Sequence, residues 1–279
     1  MVAPVTTAKT AGHAALEVEV VFRESTVTSA FATSPMKLLT PRSRGECVWA
    51  YTSSFGGGLV AGDQTQLELK LGPESRCFVG TQASTKVYRN PAELPCGHAT
   101  RATVANGATL VFAPDPVQAF AEASYAQQQE FYLAPDANIV LLDWFTSGRA
   151  ARGERWAFSR FTSRNKVNVG DKTVFLDSLA LDADDGDLNA PHRTGRFNCL
   201  GVLLLVGPKL RDVAQKILVE VGAAPVLRQA ALVFSASPIA DGAVLRIAGE
   251  QVEAVGRELH KYLAQLNPLL GDDPWARKW

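Results

Sequence analysis

Apolar and polar residues alternate with period two through most of the chain, and a helical period appears only after Cys199. Leu16, Val18 and Val20 stand against Glu17 and Glu19, which predicts a half-buried strand over 16–22. Leu67, Leu69 and Leu71 stand in the same way against Gln66, Glu68 and Lys70. Further strands are predicted over 25–33, 47–54, 76–80, 131–133, 138–145, 156–161 and 167–176, separated by turns or loops. Residues 100–104 and 109–113 flank Asn106-Gly107, a dipeptide that favours a two-stranded hairpin. Residues 82–89 are polar yet contain strand formers, and as a strand would align Gln82, Ser84, Lys86 and Tyr88 on one face. Residues 117–130 are ambiguous: Ala, Gln and Glu favour helix, but no clean apolar stripe accompanies them. Past Cys199, residues 200–206 read as a buried strand, and Leu210, Val213, Ala214, Ile217, Leu218 and Val221 mark an amphipathic helix. Strands over 232–235 and 244–247 precede a second helix marked by Val252, Val255, Leu259, Tyr262, Leu263 and Leu266, which Asn267-Pro268 is expected to stop. No repeat of fixed period is visible.

Composition fits a globular protein with a real core: 279 residues, 47% of them hydrophobic. The formal net charge of zero gives no bulk attraction to nucleic acid or to an anionic membrane. No apolar run reaches transmembrane length. Residues 1–14 lack the continuous apolar stretch of a secretory signal and read as a disordered lead. Cys47, Cys77, Cys96 and Cys199 are scattered and no two have C-x-x-C spacing. That points to inert thiols in a reducing, cytoplasmic setting.

The candidate chemistry centres on a glycine-rich stretch. Gly56, Gly57, Gly58 and Gly62 fall within seven residues and end on Asp63. Gly57 and Gly62 have the glycine spacing of a phosphate-binding loop, but Asp63 and Gln64 stand where that loop needs Lys and Ser or Thr. A strand follows, where a dinucleotide fingerprint needs a helix. On local physics the stretch is a tight turn between strands. Cys96 and His98 are close enough to share a metal, yet two ligands do not make a site. The Asp182-to-Asp187 loop lacks the glycine and glutamate of a calcium loop and reads as a solvated turn. There is no G-x-S-x-G elbow and no H-E-x-x-H. Asp63, Asp143 and Glu154 are scattered carboxylates able to serve as acid–base groups or to cap turns, and Arg149, Arg152 and Arg155 are ready ion-pair partners for Glu154.

Two blocks carry a resemblance: Phe55-Gly56-Gly57-Gly58-Leu59-Val60-Ala61-Gly62-Asp63 and Thr81-Gln82-Ala83-Ser84-Thr85-Lys86-Val87-Tyr88-Arg89. A third, Gly148-Arg149 followed by Gly153-Glu154 and Trp156, and a Trp- and Arg-containing tail over 274–279 come in the same order. Together they resemble the UreD family of urease accessory proteins, also called UreH. The resemblance implies a mainly β fold, an elongated, helix-like coil of many short strands with two α-helices near the C-terminus. It implies one domain over 15–279, mainly β to about residue 198, with an α/β extension over 199–279, and an extended conformation for 117–130. It also implies a scaffold rather than an enzyme, one that binds urease apoprotein and recruits UreF and the GTPase UreG. It implies further that no cofactor is held stably and that nickel(II) passes in transit through an internal wet passage. The family-like residues are Gly56, Gly57, Gly58, Gly62, Asp63, Thr81, Gln82, Lys86, Tyr88, Arg89, Gly148, Arg149, Gly153 and Glu154, with Asp63 and Glu154 expected to line the passage. The alternative is a β-scaffold hydrolase or lyase using Asp63 and Glu154 as general acid and base.

Overall fold

Strands that alternate must find a surface for their apolar face, and this chain finds it by winding. The computed structural model describes residues 12–42 and 45–276. The chain opens with β1 (Gly12–Val21), β2 (Glu24–Ala32), β3 (Met36–Leu39) and β4 (Val48–Ser54). It then passes back and forth between two sheets through β5 (Gln64–Leu71), β6 (Arg76–Thr81), β7 (Thr85–Val87), β8 (Gly97–Val104), β9 (Thr109–Phe112), β10 (Val117–Ala119), β11 (Ser124–Leu133), β12 (Asn138–Thr146) and β13 (Arg160–Val169). It ends with β14 (Lys172–Asp182), β15 (Cys199–Val206), α1 (Arg211–Ala223), β16 (Leu232–Ile239), β17 (Gly242–Gly249), α2 (Val252–Leu263) and the short α3 (Asn267–Leu270).

One sheet has seven strands in the order β14-β13-β11-β8-β5-β1-β2, and the other follows β16-β17-β15-β12-β9-β6-β4-β3 with β7 and β10 at its side. Strands β5, β8, β11 and β13 are parallel neighbours, as are β4, β6, β9 and β12. Successive coils therefore stack as in a β-solenoid, and β14 to β17 close the stack with antiparallel pairs. Ala14, Leu16, Leu69, Leu71, Val104, Phe131, Ile139 and Leu141 fill the space between the sheets. The outer face of the larger sheet carries Trp49, Phe78, Val140, Leu142 and Trp144, covered by Ile217, Leu259 and Tyr262 of the two long helices. This double covering makes β12 buried along its whole length.

The winding corrects several expectations. Asn106-Gly107 does not make a hairpin, because β8 and β9 lie in different sheets. Val104 and Leu110 both belong to the core shared by the two sheets, and the corner is held by the Gly107 N–H donating to Asp136 Oδ1 of the next corner at 3.2 Å. Residues 82–89 supply only the three-residue β7, preceded by a bend. Residues 156–159 are not strand; β13 starts at Arg160 and turns at Gly170 into β14. Asn267-Pro268 does not end the helical run: Pro268 sits in the first turn of α3, where its missing N–H costs nothing. Residues 117–119 and 124–130 are extended, as β10 and the first part of β11, on either side of a turn at Ala121-Glu122. The lead expected over 1–14 overlaps β1 at residues 12–14, and residues 1–11 lie outside the described residues. In the tail, the Tyr51 hydroxyl donates to Pro274 O at 2.7 Å, and the last three residues lie outside the described ones.

Candidate functional site

The parallel register stacks equivalent positions of successive coils into rows along the solenoid axis. In the smaller sheet the inward rows Leu69–Ala102–Phe131–Val167 and Leu71–Val104–Leu133–Val169 are apolar. The two preceding rows are Thr65–His98–Gln127–Ser163 and Leu67–Thr100–Gln129–Asn165, and all but one of these eight residues are polar. The larger sheet faces them with Thr52 and Thr81, paired in register, and with Asp143 on β12. A layer of amides and hydroxyls thus crosses the interior between the apolar core and a second buried cluster that contains Tyr125, Phe145, Trp156, Phe158 and Phe161.

Asp143 is the buried carboxylate of that layer, with only 8% of it exposed, and the half-buried Asp115 joins it at Thr81. Its Oδ1 accepts from Gln127 Nε2 at 2.9 Å, and its Oδ2 from Ser163 Oγ and Asn165 Nδ2, both at 2.7 Å. Three donors compensate the carboxylate for the water lost on burial. His98 Nδ1 lies 2.8 Å from Thr65 Oγ1 and Nε2 lies 3.1 Å from Thr100 Oγ1. Burial holds its imidazole down at about 4, so it is neutral at pH 7. Gln129 Oε1 and Asn165 Oδ1 are buried with no hydrogen-bond donor among the described residues. Such acceptors cost about 1–3 kcal/mol each unless water or a cation reaches them.

A cavity of about 110 Å³ lies in the layer, lined among others by Ser54, Gly57, His98, Asp115, Gln127, Gln129 and Asp143. That volume has room for several waters. A second cavity, of about 500 Å³, begins at Asp143 and Ser163 and opens between β14 and the strands β15 to β17. Asp143 lines both.

The family-like residues sort around this interior. Gly57 and Thr81 line the first cavity, and Thr81 Oγ1 also bonds Asp115 Oδ2 at 3.1 Å. Gly56, Gly57, Gly62, Gly148 and Gly153 all have positive φ. Gly58 is extended, and its requirement is space: a Cβ there would lie 2.6 Å from Lys86 O and 2.7 Å from the Tyr88 ring. Leu59 bridges to Val87 beside it, so the first two blocks are one structural unit. Tyr88 packs edge-on to Phe120 at 5.4 Å, while the Gln82, Lys86 and Arg89 side chains are exposed. Asp63 caps its own turn, its Oδ2 accepting from Val60 N at 2.9 Å. Glu154 forms a two-point ion pair with Arg149 at 2.9 and 2.5 Å, and this pair holds its carboxyl below the usual range. Arg149 in turn lies over the Phe120 ring at 4.3 Å. Asp63 and Glu154 do not figure in the lining of either interior cavity.

Sequence reasoning missed Thr65, His98, Thr100, Gln127, Gln129, Ser163 and Asn165 as a set. Their signal is parity: on β8, β11 and β13 a polar pair occupies the two inward positions before two apolar ones, while on β5 Thr65 alone precedes three leucines. The cysteines are all free and buried, and burial pushes Cys96 up to about 11 and Cys47 and Cys199 to about 12. Both ring nitrogens of His98 are engaged by threonines, and no group of three or more His, Cys, Asp and Glu is placed to hold a metal among the described residues.

Fold and site together define a β-solenoid-like protein with a polar, oxygen-rich layer across its interior. The family model for the UreD urease accessory protein matches residues 10–279. A urease accessory protein UreD of Sorangium cellulosum is 47% identical over 251 residues, covering 90% of this chain and 78% of that one. One from Anaeromyxobacter is 38% identical over 267 residues, covering 96% and 89%. Urease accessory protein D of Arabidopsis thaliana is 34% identical over 289 residues, covering 93% and 98%. The chain belongs to the UreD family of urease accessory proteins.

Proposed function

We propose that this chain is a non-catalytic nickel-delivery scaffold that binds urease apoprotein, works with UreF and the GTPase UreG in the cytoplasm, and lets nickel(II) pass along its interior polar layer. The observation that carries the reading is the Asp143 cluster, where two cavities meet at a buried carboxylate surrounded by neutral donors and unpartnered amide oxygens. Transit needs weak, exchangeable ligands, because a cluster of imidazoles and thiolates would hold the ion. Hydroxyls, amides and a few well-separated carboxylates lower the cost of a hydrated dication in the interior without fixing it in place. The passage role expected for Asp63 and Glu154 moves in this proposal to Asp143, since the first two are committed to a turn and an ion pair.

The test is the nickel content of urease after activation with Asp143→Asn in this chain, alongside capture of the accessory complex. We expect normal assembly and nickel content lowered about tenfold or more, as loss of the focusing charge where the two cavities meet implies. Wild-type nickel content would overturn the passage reading. Loss of the complex would assign Asp143 a structural role.

A further inference from the structure

The polar layer does not end at Asp143. Asn165, which donates to Asp143, is the register partner of Asp177 on β14. On the other sheet Asp143 pairs with Val202, and Val202 with Arg246 on β17. Arg246 therefore lies two strands from Asp143 on the same row, about 10 Å away by strand spacing. Asp177 and Arg246 close the layer from opposite sheets, with Arg246 Nη2 donating to Asp177 Oδ1 at 3.0 Å. Asp143, Asp177 and Arg246 are the charged residues that line the second cavity.

We propose that Asp177 and Arg246 are the charge gate of this end of the passage, Asp177 being the residue that makes it passable to divalent cations. The inference rests on the passage reading above. A guanidinium at the mouth of a route for a dication is a barrier unless its charge is matched. With the pair intact, the mouth carries one net negative charge, counting Asp143. Without Asp177, Arg246 faces the route unmatched and the net charge falls to zero. Without Arg246, the mouth becomes more negative and attracts cations more strongly. The Arg246 side chain is half exposed and its partner is less so, so the guanidinium can swing outward while the carboxylate stays at the opening. The two members of an ordinary surface ion pair are interchangeable in effect, and each is worth little. The two members of this gate act in opposite directions.

The experiment measures nickel in urease activated at limiting nickel by complexes carrying Asp177→Asn, Arg246→Gln or both, with complex capture as the check on folding. Asp177→Asn should slow nickel loading on the order of tenfold, Arg246→Gln should raise it, and the double variant should recover most of the loss. Raised salt should shrink the Asp177→Asn deficit. Equal losses in both single variants, or no loss in Asp177→Asn, would overturn the gate. If Asp177→Asn does not assemble, the reversed pair Asp177→Arg with Arg246→Asp should assemble and load nickel, and Arg246→Gln still decides by the sign of its effect. An Asp143→Asn complex run in parallel separates the two proposals. If Asp143→Asn slows loading and Asp177→Asn does not, the gate alone falls. If neither does, the passage falls with it.

Discussion

His98 couples the interior to pH. Its imidazole is held near 4 in the folded chain by burial, against an ordinary value of 6.5. Between those values the unfolded chain binds the proton and the folded chain does not, so stability falls as pH falls. The contribution is whole above pH 6.5 and is lost progressively down to about pH 4. Urea midpoints measured across that window should drop, and the drop should be smaller in His98→Gln, whose amide can still reach Thr65 and Thr100. Parallel losses in the two proteins would remove His98 as the cause. Asp143 shows what was legible at this scale and what was not. It was visible as one carboxylate among three, and it interrupts a segment that is otherwise apolar from Ile139 to Phe145. What separates it from Asp63 and Glu154 is that β12 is covered on both faces, a property of the assembled sheets. Gln127, Ser163 and Asn165 come from two other strands and became its partners only through register.

The glycine unit that joins residues 55–63 to 81–89 permits a sharper test at the level of elements. Gly57 has φ 73° and no atom within 4 Å of where a Cβ would stand, so conformation alone restricts it. Gly58 is restricted by Lys86 and Tyr88 and not by φ. Gly57→Val should cost about 1–3 kcal/mol as backbone strain, and Gly57→Asn should recover much of that because Asn tolerates positive φ. Gly58→Val should cost at least about 1–3 kcal/mol by overpacking, and Gly58→Asn should recover nothing. Denaturation midpoints that rank the four variants otherwise would show that the loop yields. Both long helices and most strands were legible because their periods survive in the sequence. Asn106-Gly107 misled because a dipeptide encodes a turn, while the sheet that receives the next strand is set by which apolar faces must meet.

At the scale of the molecule, several large apolar side chains stay exposed. Phe22 is 97% exposed at the β1–β2 turn, and Val226 is 84% exposed after α1. On the proposed function these surfaces await partners, and bare apolar surface favours association. Co-expression with a UreF-like protein should raise the soluble yield; a chain that is monodisperse alone at high concentration would count against it. No helix among the described residues is long and apolar enough to cross a membrane. The order of the coils also bears on synthesis. Apart from β7, which pairs with the later β10, each parallel strand from β6 to β13 pairs with one made earlier in the chain, so the stack can grow turn by turn as the polypeptide leaves the ribosome. Asp143 is delivered by β12, its Ser163 and Asn165 donors by β13, and Arg246 only by β17. A nascent chain would hold the carboxylate with Gln127 as its one donor of the three until the next coil arrived, and a chain stalled before β17 would carry a groove with no far wall.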